Sequence, residues 1–155
     1  MPQVGSRAPS FTLYDADQKE RSLSEFFVKG KKTILAFYPG AFTSVCTEEL
    51  CAFRDMFAEL QKMKAQVVGI SVDPPFAQKA YAEKYGFKFP LLCDFTRKVT
   101  REYGLIWRDI DGVKGYDVSN RAVYTLDDTG KILYSWVAAN PDVAPDFDGI
   151  RKSLA

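Results

Sequence analysis

Thr33-Ile34-Leu35-Ala36-Phe37-Tyr38-Pro39-Gly40-Ala41-Phe42-Thr43-Ser44-Val45-Cys46-Thr47-Glu48-Glu49-Leu50-Cys51 reads as a strand, a break and the start of a helix. The run Thr33 to Tyr38 is continuously apolar and β-prone, as a buried strand should be. Pro39 and Gly40 end it. Thr43 or Ser44 can cap a helix, and Leu50, Phe53, Phe57 and Leu60 then recur at helical spacing, which predicts a long helix from about Ser44 to Lys64. Cys46 therefore falls in the first turn of a helix fed by a core strand. Backbone N–H groups there have no internal partner and the helix dipole is positive, so a thiolate is favoured at that point. A small buried residue packing the helix onto the core is the plainer reading of the same position.

Outward from this stretch, Phe11 to Tyr14 alternates like a short strand, Asp15 to Lys19 is a polar turn, and Ser22 to Phe27 suggests a capped helical turn. Lys29-Gly30-Lys31-Lys32 reads as a solvated turn. Gln66 to Val72 is a second buried strand ended by Asp73-Pro74-Pro75. Phe76 to Tyr85 is helical, with Phe76, Ala80, Ala82 and Tyr85 as its apolar positions, and Gly86 closes it. Phe89 to Cys93 is a short extended piece, Thr96 to Tyr103 a short helix, and Leu105 to Ser119 irregular. Arg121 to Leu126 and Lys131 to Val137 form a hairpin across Asp127-Asp128-Thr129-Gly130, and Phe147 to Leu154 suggests a final helix. Strands alternating with helices before a hairpin predict a single α/β domain over residues 1–155, a central mixed β-sheet flanked by helices.

Composition narrows the function. With 155 residues, 46% hydrophobic and 26% charged, the chain suits one domain with a real core. A formal charge of +1 gives no field that would recruit nucleic acid. No apolar run approaches the roughly 20 residues of a membrane span, and Met1 to Gly5 lacks the pattern of a signal peptide, so the expectation is a cytoplasmic protein. The chain has no histidine, which removes cysteine–histidine and serine–histidine catalysis in their usual form. Its three cysteines, Cys46, Cys51 and Cys93, show no metal-ligand spacing, so no metal or other cofactor is expected. Any activation of Cys46 then falls to the helix terminus and to a lysine or arginine. Arg121, at the start of a core strand, is the candidate, with Glu49 placed to hold it; a surface arginine with a carboxylate neighbour, and a glutamate that only complements the helix dipole, are the plainer readings.

Cys46 and Cys51 are five residues apart. On a continuous helix this is about 7.5 Å of rise and roughly 140° of rotation, or about 8.7 Å between Cα atoms. A disulfide needs less than about 7 Å. Either Cys51 is an ordinary helix residue or bonding requires the first turns to unwind. Cys93 reads as a small core residue.

Pro39-Gly40-Ala41-Phe42-Thr43-Ser44-Val45-Cys46 resembles the peroxiredoxin motif, a proline, three residues, a threonine or serine, two residues and a cysteine. The resemblance extends from Gly5-Ser6-Arg7-Ala8-Pro9 through Phe89 to Asp94 and on to Arg121 and its hairpin. It implies a thioredoxin-like (peroxiredoxin) fold and a peroxidase that reduces hydrogen peroxide and alkyl hydroperoxides. By the same resemblance Cys46 is the peroxidatic cysteine, Thr43 the hydroxyl that bonds peroxide and sulfur, and Pro39 the shield against water. Arg121 stabilises the thiolate, and Glu49 orients Arg121. Cys51 is similar to the resolving cysteine of the Q-type, or bacterioferritin comigratory protein, group, which implies an intramolecular disulfide reduced by a thioredoxin-like partner. The tail from Trp136 to Asp148 looks more like the E-type enzymes, which work with one cysteine and an external thiol. A monomer or a homodimer is compatible with both. Phe42, Phe53, Tyr38 and Trp107 could line an apolar pocket mouth or simply fill the core.

Overall fold

The computed structural model describes residues 1–155. Its strands are β1 (Thr12–Asp15), β2 (Glu20–Ser22), β3 (Lys32–Phe37), β4 (Ala65–Ser71), β5 (Leu91–Cys93), β6 (Ile106–Trp107), β7 (Val118–Ser119), β8 (Ala122–Leu126) and β9 (Ile132–Val137). Its helices are α1 (Ser44–Asp55), α2 (Phe57–Lys62), α3 (Pro75–Tyr85), α4 (Lys98–Glu102) and α5 (Phe147–Leu154). Seven strands form one sheet in the order β2-β1-β5-β4-β3-β8-β9. The centre is parallel, β5-β4-β3, and both sides are antiparallel. The mixed sheet expected from the alternation of elements is therefore present, with its most apolar strands in the middle, where both faces are covered.

Side-chain alternation along β3 divides the core in two. Ile34, Ala36 and Tyr38 pack with Leu50, Phe53 and Leu60 of α1 and α2, with Tyr81 of α3, and with Ile150 and Leu154 of α5. Leu35 and Phe37 point the other way, to Phe11, Leu23, Phe26, Val99 and Tyr103. The period of two that a strand imposes thus puts helices on both faces. Gly69 on β4 is tightly enclosed within the sheet: a Cβ there would sit 2.7 Å from Cδ2 of Leu91, its partner on β5, and 3.3 Å from Tyr38 Cε1.

Four expectations change. The long helix breaks at Met56 (φ −83°, ψ 1°) into α1 and α2, although Met56 N–H still donates to the Ala52 carbonyl at 3.0 Å. A ψ near zero turns the chain enough to keep Phe53, Met56 and Leu60 all buried against a twisted sheet. On α3 the apolar positions mislead. Phe76 is 71% exposed, while Gln78 and Tyr81 are buried. Gln78 can be buried because its amide bonds Tyr38 Oη (2.6 Å), Ser71 Oγ (2.8 Å) and the Leu92 carbonyl (3.1 Å). The short helix α4 starts at Lys98 rather than Thr96, since Arg97 takes a left-handed φ of 63°. Residues 105–119 are not wholly irregular, since β6 and β7 pair there as a separate two-stranded sheet. No helix is long and apolar enough to cross a membrane.

Gly69→Val should lower unfolding stability by about 1–3 kcal/mol through overpacking. The measurement is the midpoint of urea unfolding, with an unchanged slope.

Candidate active site

β3 delivers the chain to Tyr38, and residues 39–43 turn it into α1. Phe42 takes a left-handed φ of 66°, uncommon for an aromatic residue, and is half-exposed against Tyr81, with ring centroids 4.9 Å apart. Asp73, just past β4, pins this turn: its Oδ2 accepts from the Ala41 N–H at 2.7 Å and from Ser71 Oγ at 2.6 Å. Thr43 is the N-cap residue, but its hydroxyl does not cap α1. It donates to the Gly40 carbonyl at 2.9 Å and lies within reach of the Cys46 sulfur. A hydroxyl carries one proton, so it serves one of the two at a time.

Cys46 sits in the first turn of α1, fully buried. Arg121 reaches it from the start of β8. Its Nη1 donates both to Cys46 Sγ at 3.2 Å and to Glu49 Oε1 at 2.8 Å, and its Nη2 donates to the Pro141 carbonyl at 2.7 Å. Both Arg121 and Glu49 are 1% exposed, so this is an ion pair inside the core rather than a surface arginine with a neighbour. The Arg121 backbone is itself clamped. Asn120 Oδ1 accepts its N–H, Asn120 Nδ2 donates to the Ala138 carbonyl, and the Ala138 N–H donates to the Arg121 carbonyl.

The electrostatics differ from the expectation. Burial is the largest influence on Cys46 and pushes its thiol up. The Arg121 charge, the Thr43 hydroxyl and the Gly40 N–H oppose that rise without cancelling it. The expected depressed thiol is therefore not what this closed site gives. Burial also pushes Glu49 up to about 7, against the pull of Arg121.

A cavity of about 90 Å³ opens beside these groups, lined by Pro39, Thr43, Val45, Ile110, Arg121 and Pro141, among others, with the carboxylates of Asp111 and Asp142 at its wall. The aromatic mouth considered from the sequence is absent from it: Tyr38 and Phe53 are core, and neither Phe42 nor Trp107 lines the cavity. All three cysteines are free. Cys51 is partly buried five residues along an unbroken α1, and Cys93 is buried in β5. No cluster of three or more histidine, cysteine or carboxylate side chains could hold a metal ion.

Residues 4–135 match the model of the AhpC/TSA family. The chain belongs to that family. This AhpC/TSA protein is 43% identical over 128 residues to the chloroplastic peroxiredoxin Q of Populus jackii, and 36% identical over 140 residues to a bcp peroxiredoxin of Coxiella burnetii. The first match covers 83% of the chain but 57% of the plant protein, so the chain spans little more than half the length of that relative. The second covers 90% of the chain and 91% of the bacterial protein. The crystal structure of peroxidoxin BcpB from Mycobacterium tuberculosis superposes with a TM-score of 0.82 at 29% identity, covering 99% of this chain and 95% of that one. The peroxiredoxin resemblance and the thioredoxin-like fold read from the sequence are thus met by relatives and by architecture alike.

Sequence reasoning brought Pro39, Thr43, Cys46, Glu49 and Arg121 to one place. It missed Asp73, Asn120 and the Pro141 carbonyl. The Asp73-Pro74-Pro75 break was visible as punctuation, but nothing in the sequence says which backbone group a turn presents.

The raised Glu49 carboxyl sets a stability trend. The folded state holds its proton up to about pH 7, the unfolded chain only to about 4.5. The stability this gives is complete below pH 4.5 and lost as pH rises through 7. Unfolding free energy relative to Glu49→Gln should therefore fall across that window, as read by urea unfolding at a series of pH values.

Proposed function

We propose that this chain is a thiol-dependent peroxidase with Cys46 as its nucleophile, reducing hydrogen peroxide and alkyl hydroperoxides. The observation that carries this is the single buried guanidinium nitrogen that bonds Cys46 Sγ and Glu49 Oε1 together. A structural cysteine needs no such cation. A sulfur that must carry charge, and then hand it to a peroxide oxygen, does.

The Cys46 thiolate attacks the terminal oxygen of the hydroperoxide. A sulfur–oxygen bond forms, the oxygen–oxygen bond breaks, and water or an alcohol leaves, with Cys46 left as sulfenic acid. Arg121 and the Thr43 hydroxyl stabilise the charge moving onto the leaving oxygen, as donors in an oxyanion hole do. Thr43 can turn from the Gly40 carbonyl towards the reacting atoms without a backbone change. Pro39 occupies the cavity wall and keeps water from the sulfur.

Cys51 then condenses with the sulfenic acid, releasing water, and a thioredoxin-like dithiol reduces the disulfide by exchange. This step requires α1 to open, since Cys46 and Cys51 lie on one continuous helix and Cys46 is buried. The opening is local: α1 ends at Met56, and its N-cap hydroxyl bonds elsewhere. The integrity of α1 also favours a second reading, in which an external thiol resolves the Cys46 sulfenic acid, as in one-cysteine enzymes. We place the protein in the cytoplasm, on the pattern of its N-terminus and the length of its apolar runs, as a monomer or homodimer.

Three variants test the assignment. Cys46→Ser should abolish peroxide turnover; retained turnover would remove the nucleophile. Arg121→Lys should lower the second-order rate with peroxide by about 10²–10³-fold, because an ammonium cannot reproduce the planar fork. One equivalent of hydrogen peroxide should lower the intact mass by about 2 Da and reduce helical circular dichroism, whereas Cys51→Ser should gain about 16 Da and keep its helix. A gain of about 16 Da in the unaltered protein would establish the one-cysteine reading.

A further inference from the structure

The site holds two acids and one cation beside the small cavity that Arg121 lines. Cys46, Glu49 and Arg121 are all buried. One nitrogen, Arg121 Nη1, donates to both acids. Glu49 Oε2 is buried with no hydrogen-bond partner, as is Arg121 Nε. A buried carboxylate oxygen without a donor is costly as an anion and far less so as part of a neutral acid. The groups facing Glu49 add no second cation. Cys46 lies one turn before it on α1, Tyr81 reaches over from α3 to bond Thr47, and Asp111 and Asp142 line the cavity that Arg121 also lines. One guanidinium balances one anion, so sulfur and carboxylate compete for it. No imidazole is available to take the thiol proton, because the chain has no histidine.

We propose that Glu49 is the proton-holding partner of Cys46: the one negative charge that Arg121 balances passes from carboxylate to sulfur as the proton passes from sulfur to carboxylate. This rests on the peroxidase reading and deepens it. In the resting site, thiol plus carboxylate converts to thiolate plus carboxylic acid with no change in net charge. When the thiolate attacks the hydroperoxide, sulfur gives up two electrons, the oxygen–oxygen bond takes them, and an oxyanion leaves. The oxyanion takes up one proton, the one that Glu49 releases, and the Glu49 carboxylate recovers the full pairing with Arg121. The sulfenic acid is neutral, so the site again holds one anion. Reduction by a dithiol returns a Cys46 thiol beside a Glu49 carboxylate, and the exchange repeats. Glu49 does not touch substrate. It acts on Cys46 through the Arg121 nitrogen that the two share, by holding the proton whenever sulfur carries the charge. Burial raises its carboxyl to about 7, which brings it closer to the thiol than an ordinary glutamate would be.

The test is the pH titration of Cys46 alkylation by iodoacetamide, followed by peptide mass, in the protein and in Glu49→Gln. Glutamine keeps an oxygen for Arg121 Nη1 but removes the competing charge. The half-point should fall by at least about one pH unit, which is about tenfold more thiolate at a fixed pH below it. If Glu49 only orients Arg121, glutamine leaves the half-point unchanged or raises it, and either result overturns the proposal. Should that variant fail to fold, the carboxyl can be followed directly. In Cys51→Ser, one equivalent of hydrogen peroxide should remove a protonated-carboxyl infrared band that shifts in D₂O; oxidation without that loss overturns the proposal. If peroxide leaves the Cys46 mass unchanged, the peroxidase reading fails, while the alkylation shift still decides the role of Glu49.

Discussion

The fold depends on accommodating a buried guanidinium. Arg121 is among the largest fully buried side chains, and an unpaired charge at that depth would be strongly destabilising. Several neighbouring elements contribute to its accommodation. α1 supplies Glu49 and Cys46, the residues after β9 supply the Pro141 carbonyl, and Asn120 with Ala138 fixes its backbone. Removing Glu49 would leave an uncompensated charge, and removing Cys46 or the Pro141 carbonyl a guanidinium donor without its partner, so the sulfur, the carboxylate and the C-terminal turn form one constellation.

The β-sheet makes this arrangement possible. β3 and β8 are antiparallel neighbours, with Phe37 opposite Ala122. The end of β3, which launches the cysteine turn, therefore lies beside the beginning of β8, which launches the arginine. Residues 75 apart in the chain meet because two apolar strands pair in one register. A slip of one residue would send Arg121 to the opposite face of the sheet.

This explains what could be read from the sequence. The strand-break-helix pattern around Cys46 is local and strongly patterned, so its structure was visible. The hairpin and the helix over 147–154 are likewise local, and they stand where the turn residues and the periodicity placed them. Failures arose where tertiary contacts override pattern. Phe76 looks like core and faces water, because Gln78 finds three partners that only the folded chain provides. The helix break at Met56 carries no proline or glycine signal. The thiol rise at Cys46 comes from burial, which neither the helix position nor the charge of Arg121 discloses.

The break at Met56 has a mechanical meaning. α2 is anchored on its own account, with Leu60 buried in the core and its residues lying against β4. Loss of the hydrogen-bond ladder in α1 is therefore contained at residue 56, as a seam limits a tear, and the sheet below keeps its cover. In the two-cysteine cycle proposed above, α1 would open and re-form against a part of the fold that stays in place.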